Sequence, residues 1–156
     1  MTSRGLAPEL QQALQSRGLT IERTLGEGGM ATVWLARSTT GDALAIKVPS
    51  DESPRTIERF QREAEVTRAL ADVPGVVHGV SGSLAPPRWL GLEFIPGETL
   101  QQRLGRGPID ELELLELLAA VADTLALAHE RGIIHRDLKG SNILIDERDG
   151  RPRLAD

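Results

Sequence analysis

The stretch His135-Arg136-Asp137-Leu138-Lys139-Gly140-Ser141-Asn142 combines an acid, a cation and an amide in one loop, directly after an apolar helical segment. Asp137 can orient an attacking hydroxyl or accept its proton, and Lys139 can neutralise charge on a phosphoryl group in transfer. Asn142 offers a carbonyl oxygen, the ligand type that hard cations prefer. A single aspartate or asparagine in a loop would indicate only a turn or a helix cap, but this ordered set predicts a metal-assisted phosphoryl-transfer loop.

A glycine-rich turn, Gly26-Glu27-Gly28-Gly29, precedes a strand-like segment that starts at Val33. Glycines let backbone amides approach phosphate oxygens because no side chain intervenes. The spacing Gly26-x-Gly28-x-x-Ala31 also fits a dinucleotide fingerprint, but that fingerprint needs a helix after the turn, and no lysine followed by serine or threonine completes a P-loop. The turn therefore indicates a hairpin that covers phosphates, with a purely structural tight hairpin as the alternative.

Lys47 lies near the end of an otherwise apolar strand, Ala43–Val48. A lysine on a buried strand usually needs an anionic partner. Glu63 lies on or beside the apolar face of the following helix, whereas its rival Glu65 falls off that face. We therefore predict a Lys47–Glu63 ion pair that presents the ammonium to phosphate oxygens. The alternative is an edge-strand lysine that reaches solvent and a surface glutamate.

The composition is that of an ordinary globular domain. The 156 residues suffice for one domain with a core, and they are 40% hydrophobic and 26% charged. A net charge of −5 gives no sign of nucleic-acid binding. No apolar run has membrane-spanning length, and the N-terminus lacks the apolar stretch of a secretory signal. The absence of cysteine excludes thiolate sites, and a cytoplasmic location is expected.

The first half of the chain alternates between helical and strand-like periods. Proline at the start and Gly18 at the end mark the first helix, and Ser53-Pro54 marks the second. The predicted elements are a helix over 8–17, three strands of an antiparallel meander between 19 and 48, a helix from 53, and strands at 76–77 and 89–94 with a loop at 81–87.

The second half begins with a polar break at Pro96-Gly97 and continues with a strong helix from Asp110. Asp110 and Glu113 are spaced as in a capping box, and Gly132 ends the helix. A hairpin is predicted around Asp149-Gly150. The predicted apolar stripe of the helix consists of Leu115, Leu118, Ala122, Leu125 and Ala126.

With these residues assembled, the chain resembles the Hanks-type serine/threonine protein kinases, especially bacterial ones, from about Leu19 onward. Leu25–Trp34 looks like their glycine-rich loop, Ala45-Ile46-Lys47 like the strand that carries the ATP-contacting lysine, and Phe60–Ala64 like helix C. Leu92–Gly97 looks like the hinge. The resemblance implies an α+β, protein-kinase-like fold with an antiparallel five-stranded small lobe, helix C and the first part of a mainly helical large lobe.

The resemblance also implies roles for particular residues. Leu92 would be the gatekeeper, and the backbones of Glu93 and Ile95 would meet adenine. The implied nucleotide contacts are Leu25, Gly26, Gly28, Gly29, Val33, Ala45, Lys47, Leu92, Glu93, Ile95 and Leu144. The implied catalytic residues are Asp137, Lys139, Lys47 and Glu63, and the implied metal ligands are Asn142 and Asp156. The cofactors would be ATP and Mg²⁺, or Mn²⁺ in its place.

By the same resemblance Lys139 would favour serine or threonine as the acceptor, and the expected partner is a protein substrate. Asp156 matches the aspartate of an Asp-Phe-Gly motif, but no Phe-Gly follows it. We therefore expect a chain truncated before the activation segment: a leader helix at 1–18, the small lobe at 19–95 and the start of the large lobe at 96–156, with helix E, the catalytic loop and a hairpin. Association through the uncovered large-lobe face is expected. The alternative function is a catalytically dead nucleotide-binding or interaction module.

Overall fold

The computed structural model describes residues 5–155, which form two compact units. The first unit comprises the described residues up to Ala64 together with Gly79–Phe94. The second comprises Glu65–His78 and the residues from Ile95 onward. The boundaries expected at 18/19 and 95/96 stay a prediction.

The first unit contains a five-stranded sheet in which every pair of neighbouring strands is antiparallel. This confirms the predicted five-stranded antiparallel architecture. The order across the sheet is β1-β2-β3-β5-β4. The strands are β1 (Leu19–Glu27), β2 (Ala31–Ser38), β3 (Ala43–Pro49), β4 (Gly79–Ser83) and β5 (Trp89–Glu93).

Helix α1 (Pro8–Gln15) packs on one face of this sheet. Successive side chains of β3 point to opposite faces, so Leu44 and Ile46 share the face that α1 covers. Leu10 and Leu14 are buried in the same cluster, which shows that α1 contributes to the core of the unit. The buried members of this cluster are Leu10, Leu14, Leu19, Trp34, Ala36, Leu44, Ile46 and Trp89.

Helix α2 (Pro54–Ala69) begins where the sequence predicts. The Ser53 hydroxyl accepts a hydrogen bond from the Thr56 amide at 3.4 Å, as an N-cap residue does. Phe60 and Ala64 of this helix pack against Leu90 of β5. Because Leu90 is the register partner of Lys47, α2 covers the face of the sheet that carries the lysine.

The predicted strand at 76–77 is wrong, and the loop predicted at 81–87 begins later, at residue 84. The fourth strand is β4, Gly79–Ser83, whereas Val76 makes only an isolated bridge to Leu154. The segment Gly-Val-Ser-Gly-Ser has low β propensity. It forms an edge strand because β5 offers it an antiparallel partner, and most of its residues are exposed.

The second unit is built on a three-stranded antiparallel sheet, β6 (Gly97–Thr99), β7 (Ile143–Asp146) and β8 (Pro152–Leu154). The predicted hairpin of β7 and β8 is confirmed. The short strand β6 and helix α3 (Leu100–Gly105) were not predicted. Thr99 and Gln102 form a reciprocal capping box that opens α3, a signal that the sequence does contain.

Helix α4 (Glu111–Glu130) begins at the predicted cap, where Asp110 accepts hydrogen bonds from the amides of Leu112 and Glu113. The predicted apolar stripe is wrong except at Leu125, which is partly buried against the cluster of Leu117 and Val121. Leu115 and Leu118 are 57% and 45% exposed, and the buried positions are Leu117, Val121, Thr124 and Ala128. The helix is apolar on more than one side, so periodicity cannot select the face that packs.

A buried carboxylate fixes the β7–β8 hairpin. The Asp146 side chain has no exposed surface. It accepts hydrogen bonds from Arg148 Nε at 2.8 Å and Nη2 at 2.6 Å, and Arg153 Nη2 lies 3.3 Å away. The Arg148 hydrogen bonds hold the pKa of this carboxyl below its usual range despite its burial. A charged, multiply bonded aspartate therefore closes the strand that follows Asn142.

None of the helices in the part of the chain that the structure describes combines the length and apolar character that crossing a bilayer would require.

We predict that Leu14→Ala destabilises the chain by about 2–5 kcal/mol, because Leu14 is fully buried in the α1 cluster and its truncation leaves a cavity. Urea unfolding followed by tryptophan fluorescence measures the effect. Gln12→Ala, on the exposed side of the same helix, is the matched control and should change stability by less than about 0.5 kcal/mol. Equal unfolding midpoints for the two variants would contradict the packing of α1.

We predict that Gly97→Ala is strongly destabilising, by roughly 2–4 kcal/mol. Gly97 has a φ of 134°, and a Cβ there would lie 2.0 Å from the Ile145 carbonyl oxygen. Gly107→Ala is the control, since Gly107 has a φ of 141° but open space around the same Cβ position. The control isolates backbone strain, so urea unfolding should show a clearly larger loss for Gly97→Ala.

Candidate functional site

The glycine-rich turn connects β1 and β2 within the first unit. The Gly28 amide donates to the Ala31 carbonyl oxygen at 2.9 Å, which closes the turn. A Cβ built at Gly26 or Gly29 would meet nothing within 4 Å, and neither residue has a positive φ. The fold itself therefore does not require glycine at these two positions, and the space beside the backbone is open to a ligand.

Lys47 and Glu63 form an ion pair in the same unit. Lys47 Nζ lies 2.7 Å from Glu63 Oε1, and the two side chains are 8% and 24% exposed. This is the pairing that the helical spacing predicts, and Glu65, the rival candidate, is exposed. The ion pair compensates the burial of an ammonium group in an apolar sheet.

Three further predicted contact residues share the sheet face of Lys47. Val33 is the register partner of Lys47, and Ala45 is the register partner of Leu92. Because directly opposed residues of antiparallel strands point to the same side, the three side chains lie on the Lys47 face. They are only partly buried, and Leu25 at the end of β1 is also partly buried. The first unit thus combines an apolar surface with a fixed cation.

The loop His135–Asn142 lies in the second unit, and its charged side chains are exposed. Lys139 Nζ donates to Asp137 Oδ2 at 2.7 Å, with the two side chains 53% and 66% exposed. The hydrogen bond from Lys139 lowers the pKa of the Asp137 carboxyl from its usual value. Asp137 is therefore ionised at neutral pH and acts as a hydrogen-bond acceptor.

Asn142 fixes the other end of this loop. Its side-chain Nδ2 donates to the Asp137 carbonyl oxygen at 3.0 Å, and its main-chain carbonyl oxygen accepts from the Ala155 amide at 2.9 Å. The side chain is buried. Since the side-chain nitrogen Nδ2 is committed to the Asp137 carbonyl, Oδ1 is the acceptor end of the side chain, and the Ser141 hydroxyl donates to it at 3.5 Å.

Of the two predicted metal ligands, only Asn142 lies among the described residues. Asp156, the second predicted ligand, lies outside the described residues. Among residues 5–155 no three His, Cys, Asp or Glu side chains cluster as a metal site. The oxygen of Asn142 suits Mg²⁺, which is commonly held by one or two protein oxygens together with phosphates and water.

Two features of the loop escape sequence reasoning. Arg136 has a φ of 62°, a left-handed conformation that is uncommon for a residue with a side chain. Both ring nitrogens of His135 are buried and have no hydrogen-bond partner within the described part of the chain. No local sequence signal reports either feature.

Gly140 brings the loop against α3. A Cβ on Gly140 would lie 3.1 Å from the Gln101 amide nitrogen, so a larger residue would displace the first turn of α3. Helix α3 therefore supports the loop. In the sequence, the Thr99–Gln102 capping box is the only indication that this helix exists.

The remaining predicted contact residues are divided between the units. Glu93 ends β5 in the first unit, and Ile95 is buried in the second. Leu144 lies on β7 in the second unit, where Arg153 is its register partner.

Comparison with known proteins identifies the family. Residues 19–156 match the family described as protein kinase domain. The chain is 34% identical over 150 residues to the serine/threonine-protein kinase PknJ of Mycobacterium tuberculosis, with 93% of the chain and 25% of PknJ covered. It is 39% identical over 141 residues to the serine/threonine-protein kinase pkn2 of Myxococcus xanthus, with 86% of the chain and 17% of pkn2 covered.

A third relative gives the same result. The chain is 38% identical over 152 residues to the serine/threonine-protein kinase PknF of Mycobacterium tuberculosis, with 89% of the chain and 31% of PknF covered. The chain thus spans less than a third of the length of each of these three relatives.

We predict that Glu63→Gln destabilises the chain by about 1–3 kcal/mol, because it removes the charge that lies 2.7 Å from a buried ammonium. Glu65→Gln, an isosteric change at an exposed position of the same helix, should have almost no effect. Urea unfolding of both variants measures the difference, and coinciding midpoints would argue against a stabilising ion pair.

Proposed function

This chain belongs to the protein kinase family, and from that premise we propose that it acts in the transfer of the γ-phosphoryl group of MgATP to serine or threonine hydroxyls of a protein. The observation that carries the proposal is the Lys47–Glu63 ion pair, at 2.7 Å, on the partly open face of the sheet. A lysine held in this way is a fixed cation for the phosphates of a nucleotide.

The first unit supplies nucleotide binding in this proposal. Val33, Ala45 and Leu92 offer an apolar surface to the adenine ring, and the backbone of Glu93 offers it polar groups. The open space beside Gly26 and Gly29 lets backbone amides approach phosphate oxygens.

The loop of the second unit supplies the groups that act on the acceptor. Asp137 accepts the hydrogen bond of the attacking hydroxyl and takes up its proton as the new oxygen–phosphorus bond forms and the bond to ADP breaks. Lys139 neutralises charge on the phosphoryl group. Asn142, with Asp156, would hold Mg²⁺ or Mn²⁺, which shields the phosphate charges when bound.

The acceptor class follows from two observations. Lys139 stands where the resemblance associates lysine with serine or threonine acceptors, and the relatives carry the name serine/threonine-protein kinase. Because ATP and magnesium are supplied inside cells, we place the reaction in the cytoplasm. A non-catalytic nucleotide-binding module is the competing function, and the experiment below separates the two.

We predict that Asp137→Asn lowers phosphotransfer by at least about 10²-fold, because an amide cannot take up the hydroxyl proton. ATP affinity should change less than about twofold, since Asp137 lies outside the nucleotide-contacting set. Radiolabelled ATP with a generic protein substrate measures turnover, and calorimetry measures binding. Asp123→Asn, an exposed position on α4, is the control.

Wild-type turnover by Asp137→Asn would refute the assigned role. If the wild-type chain binds ATP but shows no turnover beyond that of Asp137→Asn, the nucleotide-binding module is the better description.

A further inference from the structure

The tip of the glycine-rich turn is fastened to the residue that follows β3. The Ser50 amide donates to the Met30 carbonyl oxygen at 2.9 Å. The Ser50 hydroxyl donates to the Gly29 carbonyl oxygen at 3.0 Å. The β2–β3 ladder pairs Ala31 with Pro49, so these two bonds extend it by one step onto the turn itself. The bond to Gly29 depends on the side chain of Ser50, whereas the bond to Met30 does not.

A second contact joins the same tip to α2. The Nη1 atom of Arg59 lies 2.9 Å from Met30 Sδ. Arg59 precedes Glu63 by one helical turn, so the two residues lie on the same side of α2. The helix that pairs with Lys47 therefore also touches the tip of the turn.

We propose that Ser50 is a positioning residue for nucleotide phosphates, because its hydroxyl sets the orientation of the peptide planes at the tip of the turn. The inference rests on the proposed function, since the phosphates of ATP are the groups that the turn would meet. No sequence motif singles out Ser50, which stands three residues after the predicted catalytic lysine.

The Ser50 hydroxyl acts on one peptide plane. The Gly29 carbonyl and the Met30 amide belong to the same planar trans unit, in which C=O and N–H point in opposite directions. A hydroxyl that holds the Gly29 oxygen therefore directs the Met30 N–H away from Ser50. Glycine at position 29 leaves this plane free to rotate, so the Ser50 bond selects one orientation before the ligand arrives and lowers the ordering cost of binding.

The test compares Ser50→Ala, which removes the hydroxyl, with Ser50→Thr, which keeps it, in the full 156-residue chain. Ser83→Ala is the matched control, because Ser83 Oγ makes the same type of bond, to the Ala85 carbonyl oxygen at 2.8 Å, away from the turn. Amide hydrogen exchange over residues 28–31 without nucleotide reports the order of the turn. Calorimetry with ATP and with adenosine reports whether the effect acts through phosphates.

We expect faster exchange at the turn and a roughly two- to tenfold loss of ATP affinity in Ser50→Ala, the range of one hydrogen bond. Adenosine affinity should be unchanged, because adenosine has no phosphate to meet the turn. Ser50→Thr and Ser83→Ala should both match the wild type. Recovery by threonine separates the hydroxyl from a general packing effect.

Two results would overturn the proposal. One is equal exchange at residues 28–31 in Ser50→Ala and Ser83→Ala. The other is an equal loss of affinity for ATP and adenosine, or no loss for either. Failure of the wild-type chain to bind ATP would instead refute the proposed function, and it would be visible independently of the exchange comparison.

Discussion

The buried ammonium of Lys47 constrains the first unit more than any other single group. A charge in an apolar sheet costs several kcal/mol unless an opposite charge meets it, and Glu63 of α2 meets it at 2.7 Å. Helix α2 must therefore lie on the Lys47 face, where Phe60 packs on Leu90. The opposite face of the sheet is covered by α1 and carries the buried cluster that contains Trp34 and Trp89. The ion pair thus accounts for the face on which α2 lies, and apolar burial of Leu10 and Leu14 accounts for the face on which α1 lies.

In the second unit, by contrast, exposed charged side chains are held in a defined geometry. Asp137 and Lys139 are both solvated, and an exposed ion pair alone contributes little rigidity. The backbone supplies the order instead. Asn142 ties the Asp137 carbonyl to β7, the buried Asp146 anchors the end of that strand, and Gly140 lets α3 approach the loop. The left-handed residue Arg136 lies in a tight turn, which the Asp137 amide closes by donating to the His135 carbonyl oxygen at 2.8 Å.

The sequence predicts this structure well wherever the signal is local. The Ser53 and Asp110 caps and the hairpin at Asp149-Gly150 follow from spacings of a few residues. The choice of Glu63 over Glu65 as the partner of Lys47 follows from the local helical period, although the pair itself joins two elements. The prediction from sequence fails where contact with another element decides the local structure. The glycine- and serine-rich β4 becomes a strand because β5 is beside it. The α4 stripe is misassigned because the helix is apolar on more than one side and the position of Leu117 against Leu100 and Ile143 selects the packed face.

The glycines are of two kinds: at some positions the fold requires glycine, and at others the fold would accept a larger residue. At Gly97 a Cβ would collide with the Ile145 carbonyl, so the polypeptide itself forbids any other residue. At Gly26 and Gly29 the same test finds empty space and ordinary backbone angles. Glycine at these two positions leaves room for an anion to approach the backbone closely, which is what the proposed function requires. The Ser50 hydroxyl donates to the Gly29 carbonyl oxygen of the same turn, so one orientation of a glycine peptide is held where an anion would approach in the proposed function.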